Sequence, residues 1–150
     1  MSQSLAKILL HLVYSTKGRR PVLAEDIRDG LHRYAAGVLE QWDSPAILIN
    51  SVSDHIHILY LHSKNHGPAK IVEEVKVATS KWLKTQGAGY DDFHWQTGYG
   101  IFSVSQSNVA AVVRYIANQH EHHRRTTFQD EYREFLRRHE VGYDEQYVWD

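Results

Sequence analysis

Two apolar runs, 46–52 and 55–62, are separated only by Ser53-Asp54. A connection that short lets two extended segments pair only as an antiparallel hairpin, because a parallel pairing needs a crossover of a dozen residues or more. Upstream of the hairpin, Ile27, Leu31, Tyr34, Ala35, Val38, Leu39 and Trp42 recur at helical spacing, and Ser44-Pro45 stops that helix. Downstream, Pro68 opens a second helix with Ile71, Val75, Ala78 and Trp82 on one face, ending near Gly87-Ala88-Gly89. A short strand at 8–14 precedes the first helix and another at 100–104 follows the second. The order β-α-β-β-α-β describes an α+β, ferredoxin-like or RRM-like sandwich: an antiparallel sheet with helices on one face. Two C-terminal helices are appended. One carries Val109, Val112, Val113 and Ile116 behind a cap at Ser107 or Asn108, the other Phe128, Tyr132, Phe135 and Leu136. The second face of the sheet is expected to be left free. No linker or repeat interrupts the pattern, so residues 1–150 read as a single domain.

Composition removes several function classes. Seventeen Lys and Arg against eighteen Asp and Glu leave a net charge of −1, which argues against binding nucleic acid through bulk charge alone. Without cysteine there is no disulfide, thiolate metal site or cysteine nucleophile, so a metal could be held only by nitrogen and oxygen ligands. Eleven histidines supply the nitrogen. The N-terminus lacks a signal peptide's pattern and no apolar run approaches the roughly 20 residues of a membrane span, so a cytosolic protein without membrane association is expected.

Within 55–62, alternate residues share a face, so His55 and His57 project together while Ile56, Ile58 and Tyr60 point the other way. With the isoleucines under the helices, the two imidazoles would stand on the open face. They are either half of a thiolate-free divalent-metal site or two solvated histidines. Tyr115 and Gln119 are four positions apart, which stacks them on one helix face and presents a phenol and an amide oxygen to a shared site. A free phenol is a poor nucleophile at neutral pH unless its target is polarised, and the alternative is a tyrosine that caps the core. His120-Glu121-His122-His123 points around a helix and reads as a polar end rather than a converging ligand set. Lys17, Arg19, Arg20, Lys76, Arg124 and Arg125 are candidate phosphate contacts, against the alternative of solvated faces.

Taken together these segments resemble the single-tyrosine HUH transposases, the small insertion-sequence enzymes and their REP-associated relatives. The motifs run in order from His11-Leu12-Val13-Tyr14-Ser15-Thr16-Lys17 through Ser53-Asp54-His55-Ile56-His57-Ile58-Leu59 and the 93–105 segment. They continue in Tyr115-Ile116-Ala117-Asn118-Gln119-His120-Glu121-His122-His123 and the ending Tyr143-Asp144-Glu145-Gln146-Tyr147-Val148-Trp149. The resemblance implies one catalytic domain over 1–150 that cleaves and rejoins single-stranded DNA at hairpin-bearing ends through a 5′-phosphotyrosine. Tyr115 would be the nucleophile, and His55, His57 and Gln119 would hold Mg²⁺ or Mn²⁺. Asn118 would be a supporting residue, positioning Tyr115 or the helix end. A homodimer is implied as well, with the tyrosine helix of one subunit completing the other's site in trans. Two imidazoles and an amide carry no compensating charge, so such a site should bind metal modestly and gain affinity from DNA phosphate.

Three other readings share parts of this pattern. A domesticated REP-associated nuclease acting on host palindromes would use the same residues. A rolling-circle initiator or relaxase shares the chemistry but usually belongs to a larger chain. A non-catalytic RRM-like binder would need stacking aromatics rather than paired imidazoles.

Overall fold

The computed structural model describes residues Met1–Asp150. Strand β1 (Leu9–Ser15) leads into helix α1 (Glu25–Gln41), followed by strands β2 (Ala46–Ser51) and β3 (His55–Leu61), helix α2 (Pro68–Lys84) and strand β4 (Gly100–Ser103). Three helices complete the chain: α3 (Val109–Ala117), α4 (Gln119–His122) and α5 (Phe128–Arg138). The sheet order is β2-β3-β1-β4 with every pair antiparallel, the arrangement expected of a ferredoxin-like sandwich. The Ser53-Asp54 turn is held from outside as well as by its strands. The Ser53 carbonyl accepts from the Leu23 N–H at 2.9 Å and the Asp54 carbonyl from the Thr16 N–H at 2.8 Å.

The larger core lies between the sheet and α1 with α2. Leu31, Ala35, Val38 and Leu39 of α1 meet Ile71, Val72, Val75 and Leu83 of α2 over Leu12, Ile56, Ile58 and Tyr60 of the strands. At Gly30 a side chain would press on the Trp82 ring, 2.9 Å from the position a Cβ would occupy, so glycine lets α1 and α2 approach.

The opposite face of the sheet is not free. A second cluster, Val13 and Phe102 from the strands with Phe128, Tyr132 and Leu136 from α5, closes it. These α5 residues recur at i, i+4 and i+8, one face of a helix, and burying them is what brings α5 onto the sheet. Thr127 starts α5 by accepting the Asp130 N–H on its side chain at 3.2 Å. Gly100 is needed beneath it, because a Cβ there would collide with the Tyr132 ring. Asn50 of β2 ties α3 to the same face by donating to the Ile116 carbonyl at 2.7 Å. No helix is long and apolar enough to cross a membrane.

Candidate metal centre and nucleophile

The period of β3 is realised as its sequence implies. Ile56, Ile58 and Tyr60 enter the helix-covered core, and His55 and His57 project from the other face. The expectation that they stand open is corrected: both are fully buried, because α4 and α5 lie over them. His55 Nδ1 is 2.7 Å from Asp54 Oδ1 and His57 Nδ1 is 2.8 Å from His11 Nε2.

Glu131 of α5 is the hub of the site, and sequence reasoning did not single it out. Its Oε1 lies 3.0 Å from His57 Nε2, 3.2 Å from His123 Nε2 and 3.4 Å from His55 Nε2. Its Oε2 accepts the phenol hydrogen of Tyr115 and lies 3.3 Å from His122 Nε2. Burial would raise this carboxyl, but the adjacent imidazoles hold it well below the usual carboxylate range, so it stays ionised. Burial would lower His55, yet hydrogen bonds to the Asp54 and Glu131 carboxylates outweigh it and carry the ring up to about 9. His57 is pushed down, chiefly by burial. His11 falls to about 3 through burial and its neighbour His57. The Tyr115 phenol is pushed up by burial and by the charge of Glu131, which keeps its proton in place.

Tyr115 and Gln119 do share a direction, although the helix carrying them is interrupted. Asn118, with φ −94° and ψ 18°, separates α3 from α4, while its N–H still bonds to the Arg114 carbonyl at 3.1 Å. Gln119 is fully buried, donates to the Tyr115 carbonyl at 3.3 Å, and sets its Oε1 3.4 Å from His55 Nε2. The exposed Asn118 therefore serves as the joint between the two helices. The tyrosine reaches the histidines of its own chain, with the Tyr115 and His57 rings 5.9 Å apart. A cleft of about 720 Å³ opens beside it, bordered by Tyr115, His122, Glu131, Arg138 and His139.

The reading of 120–123 as a polar end is corrected in part. His123 sits just past α4, in a non-helical conformation that turns its ring inward to His55 and Glu131. Among the candidate phosphate contacts, Lys17, Arg20, Arg124 and Arg125 are exposed. Arg20 lies 3.6 Å from Asp92, Arg124 lies 3.1 Å from Glu121, and Arg19 is partly buried over the Trp149 ring. Lys76 departs from the expectation. Its ammonium donates to the carbonyls of Gln96, Thr97 and Gly98 at 2.6–3.2 Å and lies 4.8 Å over the Tyr14 ring, so it is spent inside the fold.

His55, His57, His123 and Glu131 each bring one ligand atom, and these atoms all lie within 4.8 Å of one another. His123 Nε2 is enclosed and has no hydrogen-bond partner despite its approach to Glu131. An orphaned buried nitrogen aimed at a carboxylate fits a divalent cation between them.

Comparison with known proteins agrees with this architecture. Residues 4–119 match the family described as IS200-like transposases. The ISDra2 transposase TnpA of Deinococcus radiodurans is 25% identical over 120 residues, covering 74% of this chain and 83% of that protein. A crystal structure of a transposase from the same organism superposes with a TM-score of 0.62 at 23% identity, covering 79% of this chain and 98% of that one. A REP-associated tyrosine transposase bound to a REP hairpin superposes with a TM-score of 0.59 at 13% identity, covering 82% of this chain and 74% of that one. At such identities the two superpositions establish the fold.

Proposed function

Because this chain belongs to the IS200-like transposase family, we propose that it cleaves and rejoins single-stranded DNA at hairpin-bearing ends through a 5′-phosphotyrosine on Tyr115. One observation carries the reading: the Tyr115 phenol and the His55–His57 pair meet on the two oxygens of a single buried carboxylate, Glu131. The phenol oxygen attacks the phosphorus as its proton passes to Glu131 Oε2, the atom that already accepts it, and the P–O3′ bond breaks, the departing 3′-oxygen taking a proton from water to become the free hydroxyl. The bond energy is kept in the phosphotyrosine, so a second 3′-hydroxyl reseals the strand without ATP. The pKa shifts of the two groups keep Glu131 ionised as the acceptor that orients the phenol, while Tyr115 keeps its proton until attack. His55 and His57, with Gln119 beside them, would hold Mg²⁺ or Mn²⁺. When bound there, such an ion supplies Lewis-acid polarisation of the scissile phosphate. The cleft beside Tyr115 admits the strand, and the exposed Lys17, Arg20, Arg124 and Arg125 supply phosphate contacts.

Residues 1–150 act as one catalytic domain that works as a homodimer, the Tyr115 helix serving the site of its own chain or, when exchanged, that of its partner. The test is incubation with a labelled hairpin-bearing oligonucleotide and Mn²⁺ or Mg²⁺, followed by a denaturing gel. A covalent adduct that disappears with Tyr115→Phe supports the reading, and strand scission that persists in that variant overturns it.

A further inference from the structure

The cleft beside Tyr115 is not lined as a channel for phosphates alone. Phe102, Phe135 and Val112 give it an apolar wall, and Asp130, Glu131 and Glu134 bring three carboxylates to it. Arg138, in the last turn of α5, is the one Lys or Arg that borders it. A strand entering there meets repulsion from most charged groups of the wall, so its backbone is attracted only where Arg138 stands.

Basic residues at a helix C-terminus commonly answer the helix dipole, but Arg138 has capacity to spare. Arg137 meets both oxygens of Glu134, at 2.6 and 2.9 Å, whereas Arg138 reaches that carboxylate through Nε alone, at 2.9 Å. The two terminal nitrogens of Arg138 have no protein partner, and its side chain is 64% exposed. Its charge is felt at the Tyr115 phenol, where it opposes burial and Glu131, which both push that group up.

His139 follows at the end of the helix with its ring fixed. Nδ1 donates to the Phe135 carbonyl at 2.8 Å, and the ring lies 4.5 Å from that of Phe102 with 31° between their planes. Phe102 in turn stacks on Phe135 at 5.4 Å and 16°. His139 is exposed and borders the cleft, so this run of rings ends on a surface that a further flat ring can extend. Every nucleobase has a π-face that can do so, and histidine is among the side chains on which unstacked bases rest.

We propose that Arg138 and His139 form a subsite for the nucleotide adjoining the scissile phosphate, with its base stacked on the His139 ring and its phosphate held by the terminal nitrogens of Arg138. This rests on the proposed function for the presence of a DNA strand in the cleft. Both residues lie beyond the segment 4–119 that matches the family. The carboxylates turn the sugar–phosphate backbone away from the rest of the wall, and the apolar side receives the base. Stacking tolerates any base, so the subsite sets the position of the strand relative to Tyr115 rather than its sequence.

The test is fluorescence anisotropy of the full chain with a labelled hairpin oligonucleotide carrying a single-stranded arm, in chelator so that nothing is cleaved. His139→Ala should weaken binding about fivefold or more, and His139→Phe, which keeps a ring on Phe102, should restore most of it. Arg138→Gln should make the salt dependence shallower by about 0.7 in the logarithmic slope, and His139→Ala should leave the slope unchanged. An abasic residue moved one position at a time along the arm should weaken binding to the unmodified chain most at one position, a reading that needs no variant to fold. At that position alone the His139→Ala effect should disappear. An effect of His139→Ala that is equal on every abasic oligonucleotide, no rescue by His139→Phe, or an unchanged slope in Arg138→Gln would overturn the assignment. Failure of the strand-cleavage reading appears instead as a missing adduct with the unmodified chain on the denaturing gel, which these binding measurements do not use.

Discussion

His11 Nε2 lies 2.8 Å from His57 Nδ1, joining two neighbouring strands across the face of the sheet that carries the candidate site. In the β1–β3 register His57 stands opposite Val13, so His11 is its diagonal neighbour, within reach of a long side chain. Burial keeps His11 neutral, and its ring nitrogen is the acceptor that directs the Nε2 of His57 toward Glu131. His11→Ala should therefore leave a buried donor unmatched and cost about 1–3 kcal/mol of stability. It should also weaken metal binding, by about 10–100-fold on the precedent of such outer partners. His11→Gln, which restores an acceptor, should recover part of both, as followed by urea unfolding and metal titration.

In chelator, stability should peak near pH 6.5. His55 titrates near 9 in the fold against 6.5 unfolded, so its contribution is complete below 6.5 and is lost as pH rises through 9. His11, at about 3 in the fold, favours the folded state above 6.5 and withdraws that support as pH falls toward 3. Burial lowers Lys76 to about 8, which favours the fold between 8 and 10.5, so the His55 effect is best read from 6.5 to 8. The loss over that interval is roughly 2 kcal/mol. Saturating Mn²⁺ should flatten or reverse it, since the ion needs the neutral ring. Scanning calorimetry across this range decides the matter, and a midpoint that climbs from pH 6.5 to 8 in chelator contradicts it.

Gly100→Ala should drive a methyl group into the Tyr132 ring and lift α5 from the sheet. A loss of about 1–3 kcal/mol in urea unfolding is expected. Metal affinity should fall with it, because α5 is the element that delivers Glu131.

Mixing Tyr115→Phe with His57→Ala should not restore adduct formation. Each variant lacks a part that the structure takes from one chain, the Tyr115 and His57 rings being 5.9 Å apart within it. Recovery of the adduct in the mixture would mean that the tyrosine helix is exchanged between subunits.

Lys17→Ala and Arg125→Ala should each weaken binding of hairpin DNA and make its salt dependence shallower, by about 0.7 in the logarithmic slope for each phosphate contact on a single strand. Lys76→Met should instead lower stability and leave that slope unchanged, since its ammonium is held by three carbonyls. A steep loss of DNA affinity in a stable Lys76→Met protein would contradict this assignment.

The hairpin, both helices of the sandwich and the shared direction of His55 and His57 are legible in the sequence, because periods of two and 3.6 follow directly from backbone geometry. Glu131 is harder to read. It stands between Asp130 and Glu134 in a strongly charged helix, where an acid ordinarily faces water. The available signal is its position three residues after Phe128 and four before Phe135, inside the apolar stripe rather than opposite it. His123 carries no such signal. Its direction depends on the chain leaving the helix at that residue, and the tertiary packing of α5 decides where that happens. The covering of the second sheet face escaped for the same reason: α5 is amphipathic in sequence, but its docking partner is not written locally.

The alternation along β3 has an evolutionary consequence. Its even-numbered residues Ile56, Ile58 and Tyr60 answer to packing, while His55 and His57 answer to chemistry, and the plane of the sheet keeps the two sets from touching. Volume changes among the even positions can be absorbed by repacking α1 and α2 without displacing an imidazole. A lineage can therefore rebuild one side of this strand extensively while the other side stays under separate selection.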